Sequence, residues 1–246
     1  MSGSTEDLKK HLKEEIAKSG FPLEIKIATL LNQNDWNVTP HLLYPLKGTD
    51  KELDIWATRK VEKKAQQVLI IECKKQKNKP WIFFEQDEPN SEVFSLNASP
   101  LYLYDQLGKF FRESHYSKVK PCSYHFPSFV KKRKGDPILE AINQVLNALI
   151  FCFDIETAMY EKLVNKKFTF LYPIIVLDGK LFSAKVQPSG EIELTESSHL
   201  QLKVIRALKE PMVVKGRKGS YVMAIKPFII DIVLQDYFQE FLKVFS

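Results

Sequence analysis

The chain has 246 residues, 44% hydrophobic and 27% charged, with 36 Lys and Arg against 30 Asp and Glu and a formal net charge of +6. This excludes disordered, collagen-like and low-complexity classes, and the length suits one substantial hydrophobic core. No apolar run reaches the roughly 18 to 20 residues of a membrane span. The start, MSGSTEDLKKHLKEE, lacks an apolar segment after a basic one, and Cys73, Cys122 and Cys152 show no CxxC spacing. The expectation is a cytoplasmic protein with reduced thiols and no membrane association.

Leu8, Leu12 and Ile16 recur every fourth residue, so residues 5–18 read as an amphipathic helix ending before Gly20. Pro22 then suits a first helical position, and Leu23, Ile27, Leu30 and Leu31 give the second helix its apolar stripe. The Asn32 to Asp35 stretch favours a turn. Three strand-like runs follow. They are Trp36 to Tyr44; Lys51 to Thr58, with Leu53, Ile55 and Ala57 on one face; and Gln67 to Lys74, whose VLII core suits a strand covered on both faces. Residues 76–135, with QKNKP, EQDEPNSE and KKRKGDP around a helix near Leu101 to Phe111, read as an insertion or lid. Asp136-Pro137 caps a long helix carrying Ile138, Ile142, Val145, Leu149 and Cys152. Phe168 to Leu177 and Leu181 to Val186 read as a hairpin turning at Asp178-Gly179. Leu200 to Leu208 and Tyr221 to Val233 read as strands, and Gln235 to Phe245 as a closing helix. The whole is expected to be one domain, with its core in residues 20–75 and 136–186 and a C-terminal extension over 187–246.

Several chemistries lose their motifs. There is no GxxxxGK[ST], GxGxxG, GxSxG or HExxH, and the five histidines stand at no mutual ligand spacing. What remains is carboxylate and lysine chemistry. Glu72 and Lys74 lie two apart at the end of the VLII run, so as strand residues they share one face, with Cys73 on the other. Asp54, in KELDIW, is placed to converge on them if the two strands are antiparallel neighbours. Two such carboxylates form a hard-oxygen site suited to Mg²⁺ or Mn²⁺, and a lysine beside them can stabilise charge on a phosphate. The [DE]-x-K spacing occurs five times in the chain, so context decides: only Glu72 and Lys74 end a buried-strand pattern with an acidic strand residue upstream.

Glu24 on a helix, Asp54 in an E-L-D-I strand and Glu72-Cys73-Lys74 closing an apolar strand together resemble the PD-(D/E)XK nuclease superfamily, in particular its restriction-endonuclease-like, Mrr-type branch. The resemblance spans about residues 20–75, including GFPLEIKIATLLNQNDWNV. It continues more loosely through EAINQVLNAL, where Gln144 matches a glutamine that often faces the site. Leu53 stands where many members have proline. The resemblance implies an α/β fold, a restriction-endonuclease-like α/β/α sandwich with a central mixed sheet. It also implies a Mg²⁺- or Mn²⁺-dependent endonuclease acting on DNA, mainly double-stranded, in prokaryotic or phage genome defence, with a homodimer as one candidate assembly. Asp54, Glu72 and the Cys73 carbonyl would then hold the metal, Glu24 would add a water-mediated or second-metal contact, Lys74 would position the attacking water, and Gln144 would face the site. Alternatives are a catalytically silent nuclease fold that binds nucleic acid or protein, and an RNA-directed nuclease.

The run Lys74-Lys75-Gln76-Lys77-Asn78-Lys79 leads out of this constellation and is a candidate track for a phosphate backbone through Lys75, Lys77 and Lys79. Lys131, Lys132 and Arg133, and the KGRK segment at 215–218, are further candidate contacts. Trp81, Phe83 and Phe84 are better read as core than as base-stacking platforms.

Overall fold

The computed structural model describes residues 5–46, 48–62, 65–85, 121–126, 135–162, 168–204, 213–216, 219–222 and 228–245. Helix α1 (Thr5–Lys18) forms where its four-residue spacing predicts, yet none of its residues is buried, and Leu8, Leu12 and Ile16 remain exposed. Helix α2 (Phe21–Gln33) has Pro22 in its first turn and buries Leu23, Ile27 and Leu31, each worth roughly 1.5–3 kcal/mol of apolar burial. It stops where Asn34 donates its side-chain amide to the Leu30 carbonyl at 2.8 Å and Asp35 takes φ 62°, a left-handed conformation that Asp tolerates.

The chain then runs β1 (Asn37–Leu46), β2 (Thr49–Glu62), β3 (Ala65–Glu85), β4 (Pro121–Phe126), α3 (Pro137–Lys162), β5 (Phe168–Val186), β6 (Ile192–Glu196), β7 (His199–Val204), β8 (Val213–Gly216), β9 (Gly219–Val222), β10 (Phe228–Leu234) and α4 (Phe238–Leu242). A single 3₁₀ turn lies on each side of α4. Eight strands form a mixed sheet in the order β1-β2-β3-β4-β7-β10-β5-β6, and β3 also pairs with β5; β8 and β9 form a separate hairpin. The β1–β2 hairpin closes at Gly48, whose φ of 79° suits glycine. Asp136 caps α3 as expected, its Oδ1 accepting hydrogen bonds from the Ile138 and Leu139 amides at 2.9 and 3.4 Å.

Several expectations are corrected. Residues 168–186 do not turn back at Asp178-Gly179 but form one strand, parallel to β3 along most of its length. The glycine there serves close approach: a Cβ on Gly179 would lie 2.8 Å from the Gln76 main-chain oxygen. The real hairpin is β5–β6, turning at Gly190 with φ 86°. Likewise residues 76–85 are not a loop; they extend β3 past an irregularity between Gln76 and Trp81, and Trp81 and Phe83 are buried. Residues 121–126 also join the sheet. The helix expected near 101–111 and the segment 127–134 lie outside the described residues. Residues 187–246 are more than an appendage, since β10 sits between β7 and β5 and pairs with both.

The architecture is α/β with a mixed central sheet and apolar cores on both faces. One core packs α3 residues such as Ile138, Val145 and Leu149 on Val68, Ile70 and Ile175. The other packs Leu23, Ile27 and Leu31 of α2 and Phe238, Phe241 and Leu242 of α4 on Leu69, Ile71 and Val176. Successive residues of VLII feed these cores in turn, which is why the run is continuously apolar. Among the described residues no helix is long and apolar enough to cross a membrane.

The alternation in β1 and β2 breaks at one level. Val38 packs on the α2 side whereas Leu42, Tyr44 and Leu46 belong to the α3 side; Ile55 and Ala57 belong to the α2 side whereas Leu53 belongs to the α3 side. The expected common face for Leu53, Ile55 and Ala57 is therefore divided. The break falls between the pairs Pro40–Ile55 and Leu42–Leu53, at His41 and Asp54, and His41 has φ 52°.

Candidate active site

The β2–β3 ladder runs from the Glu62–Ala65 pair to the Ile55–Ile71 pair and ends there. Asp54 and Glu72 are the next residue on each strand, so the antiparallel register sets the two carboxylates opposite each other where the strands part. In place of a ladder bond, Asp54 Oδ2 accepts the Cys73 amide at 2.7 Å. A strand residue that joins an antiparallel ladder directs its N–H and C=O to the same neighbour. The Cys73 carbonyl is thus directed to the same gap, while its thiol is buried on the α2 side.

Glu72 is 1% exposed, and its Oε1 accepts a 2.6 Å hydrogen bond from Lys74 Nζ. Its Oε2 is buried with no hydrogen-bond partner among the described residues, a costly state for a carboxylate. Burial, and then the nearby Asp54 charge, push the Glu72 carboxyl up to about 7 despite Lys74. Asp54 is also raised, chiefly by burial, with the Cys73 amide opposing. Burial acts to lower Lys74, but the attraction and hydrogen bond of Glu72 prevail and raise it. In this form, Lys74 is the cation that compensates the acidic pair.

Glu24 approaches from α2. Burial and the Asp54 charge raise its carboxyl, while His41 opposes. His41 Nε2 lies 3.7 Å from Glu24 Oε2, and its Nδ1 contacts Glu52 Oε1. On the other side of the sheet, Gln144 of α3 is half-buried, with its Oε1 buried and without a partner among the described residues. It sits between the buried Ala141 and Ala148 and one helical turn from Glu140, whose charge reaches Lys74. The constellation thus brings together Asp54, Glu72 and Lys74, with Glu24 approaching from α2, while Gln144 lies on the helix of the opposite face.

Three contributors were missed from sequence: His41, Glu52 and Glu140. His41 was legible only through the β1–β2 register, which sets it across from Asp54. Glu52 carried a signal, since it lies two residues before Asp54 on the same strand. Glu140 was visible as the residue one turn before Gln144.

The basic run behaves differently from the expected loop. Alternation sends Lys74 to the α3 side, whereas Lys75 donates to the Ala17 carbonyl at the end of α1 and Lys77 lies 3.5 Å from Asp178. Lys79 is half-buried. Lys131, Lys132 and Arg133 lie outside the described residues, as do the side chains of 215–218.

No protein-family model, curated protein or solved structure matches the chain. Among the described residues, no group of three or more His, Cys, Asp or Glu side chains is arranged to hold a metal by itself. A cation at Asp54 and Glu72 would therefore draw its other ligands from main-chain oxygen and water, as Mg²⁺ commonly does. The Glu72 Oε2 fits such a cation: it is a carboxyl oxygen, withdrawn from water, that lacks a donor among the described residues.

Proposed function

We propose that the protein is a metal-dependent nuclease of the restriction-endonuclease-like PD-(D/E)XK type, an α/β/α sandwich that hydrolyses phosphodiester bonds of DNA. The observation that carries this reading is the placing of Asp54 and Glu72 one residue beyond the last β2–β3 pair, Ile55–Ile71, with Lys74 bonded to Glu72. A protein that only binds has no need of a buried Glu72 carboxylate beside the half-buried Asp54, whose charge raises the Glu72 pKa.

In this reading Asp54, Glu72 and the Cys73 carbonyl would hold Mg²⁺ or Mn²⁺, with Glu24 contributing through water. The bound cation supplies neutralisation of charge on the phosphodiester oxygens and lowers the pKa of water. The protein's own groups do the rest. The Cys73 amide fixes the Asp54 carboxylate, and β3 fixes Glu72 and Lys74 on one face. Lys74, on the same strand face as Glu72, would orient the attacking water and stabilise charge developing on the phosphate. Gln144 offers an amide at the α3 wall to position water or substrate.

The test incubates plasmid DNA, single-stranded DNA and RNA with Mg²⁺ or Mn²⁺, comparing wild type with Glu72→Ala and Lys74→Ala. Metal-dependent cleavage of DNA lost in both variants supports the proposal. Equal cleavage by all three proteins overturns it, preferential RNA cleavage redirects it to RNA, and metal-independent binding without cleavage favours a silent nuclease fold.

A further inference from the structure

We propose that the cleft between α1, α2 and the adjoining parts of β3 and β5 is a second anchoring surface for nucleic acid, taking backbone phosphate away from the bond to be cleaved. It rests on the nuclease reading only for the identity of the polyanion. A cavity of about 400 Å³ there is lined by Lys13 of α1, Lys26 of α2, and Lys75 and Lys77 of β3, with Asp178 of β5. Three separate elements thus bring four lysines to one concavity whose apolar wall includes Ile16 and Leu23, Lys75 donating to the carbonyl of Ala17, which also lines it.

Among the described residues their carboxylate partners are few and weakly held. Lys77 is 3.5 Å from Asp178 and Lys26 is 3.4 Å from Asp236, whose side chain is 90% exposed. Exposed pairs at such distances are worth little. Two carboxylates against four lysines leave an excess of positive charge, and a concave, partly apolar wall focuses it. Lysine binds phosphate as a point charge, without the planar geometry that arginine uses for a carboxylate.

A polymer, rather than a small anion, is favoured by the strand itself. Lys74 and Lys75 are consecutive, about 3.8 Å apart at Cα, yet one faces Glu72 and the other this cleft. A nucleic-acid strand draped over that stretch of β3 engages both faces at once; a free phosphate engages one. The sequence pattern KKQKNK therefore divides between two tasks, and Lys13 and Lys26, far from it in sequence, complete the second.

The experiment measures binding of a labelled DNA duplex by fluorescence anisotropy in EDTA, where no cleavage occurs, across a range of salt. It compares the full chain with Lys13→Gln/Lys26→Gln/Lys77→Gln; melting curves check that the exposed substitutions leave folding intact. The expected result is about tenfold weaker binding and a salt slope shallower by roughly 0.9 for each phosphate that is no longer neutralised. Wild-type affinity and slope in the triple variant overturn the proposal. Displacement of DNA by inorganic phosphate at matched phosphate concentration overturns the polymeric ligand, and equal, lysine-dependent binding of polyglutamate overturns nucleic acid in favour of an acidic protein. Because the measurement needs neither metal nor turnover, it stands apart from cleavage by Glu72→Ala and Lys74→Ala, on which the nuclease reading depends.

Discussion

Asp54 is held by the main chain of the strand that carries Glu72: its Oδ2 accepts the Cys73 amide at 2.7 Å, just beyond the last β2–β3 pair. Glu72 therefore faces a neighbouring acid that cannot easily turn away, and that charge adds to burial, the larger cause, in raising the Glu72 carboxyl.

Without metal, this makes stability depend on pH. The Glu72 carboxyl rises from 4.5 unfolded to about 7 folded, so the fold favours its protonated form. Its contribution is present below about 4.5 and is lost as pH climbs through 7. Glu72→Gln mimics the protonated state. In EDTA it is expected to be more stable than wild type at pH 8 by on the order of 2–3 kcal/mol, with the gap closing towards pH 5. Urea unfolding at the two pH values measures this, and a constant gap would refute the assigned environment.

Lys74→Met removes the ammonium that compensates Glu72. Breaking a buried pair in this way costs roughly 3–5 kcal/mol, moderated here because Glu72 can take up a proton. Adding Glu72→Gln to Lys74→Met should recover most of the loss. A double-mutant cycle at pH 8 reads the coupling, and additive effects would contradict the 2.6 Å bond.

At His41, two substitutions that both remove the imidazole separate side chain from backbone. Since φ is 52°, His41→Gly should be more stable than His41→Ala by about 1 kcal/mol. Equal unfolding midpoints would mean that the left-handed conformation is not kept in solution.

Gly179→Ala places a methyl 2.8 Å from the Gln76 main-chain oxygen and 3.2 Å from its carbon. Main chain in a paired strand yields little, so a loss of about 1–3 kcal/mol is expected, measurable as a lower denaturant midpoint. A neutral result would show that β3 and β5 can move apart at this point.

Much of the framework was legible because its signals are local. The α2 stripe Leu23, Ile27 and Leu31, the Asp136-Pro137 cap and the VLII strand need only short-range periodicity. Asp54, Glu72 and Lys74 were legible because strand parity and order suffice to group them. The Asp178-Gly179 reading failed because glycine supports both tight turns and close backbone approach, and only the position of Gln76, about a hundred residues earlier, separates the two. QKNKP was misread because polarity reports solvent exposure, and β3 continues through a stretch with polar neighbours. His41 escaped because its role arises from a pairing across strands and from a conformation that no sequence pattern displays.

The parting of β2 and β3 after Ile55–Ile71 makes the site a matter of counting as well as chemistry. Deleting one residue from Val68 to Ile71 would leave an apolar strand and every acidic and basic group present. It would also send Glu72 and Lys74 towards the α2 core and bring the Cys73 side chain to the gap. The chain would retain its composition and lose the parity that makes two carboxylates and a lysine a single site.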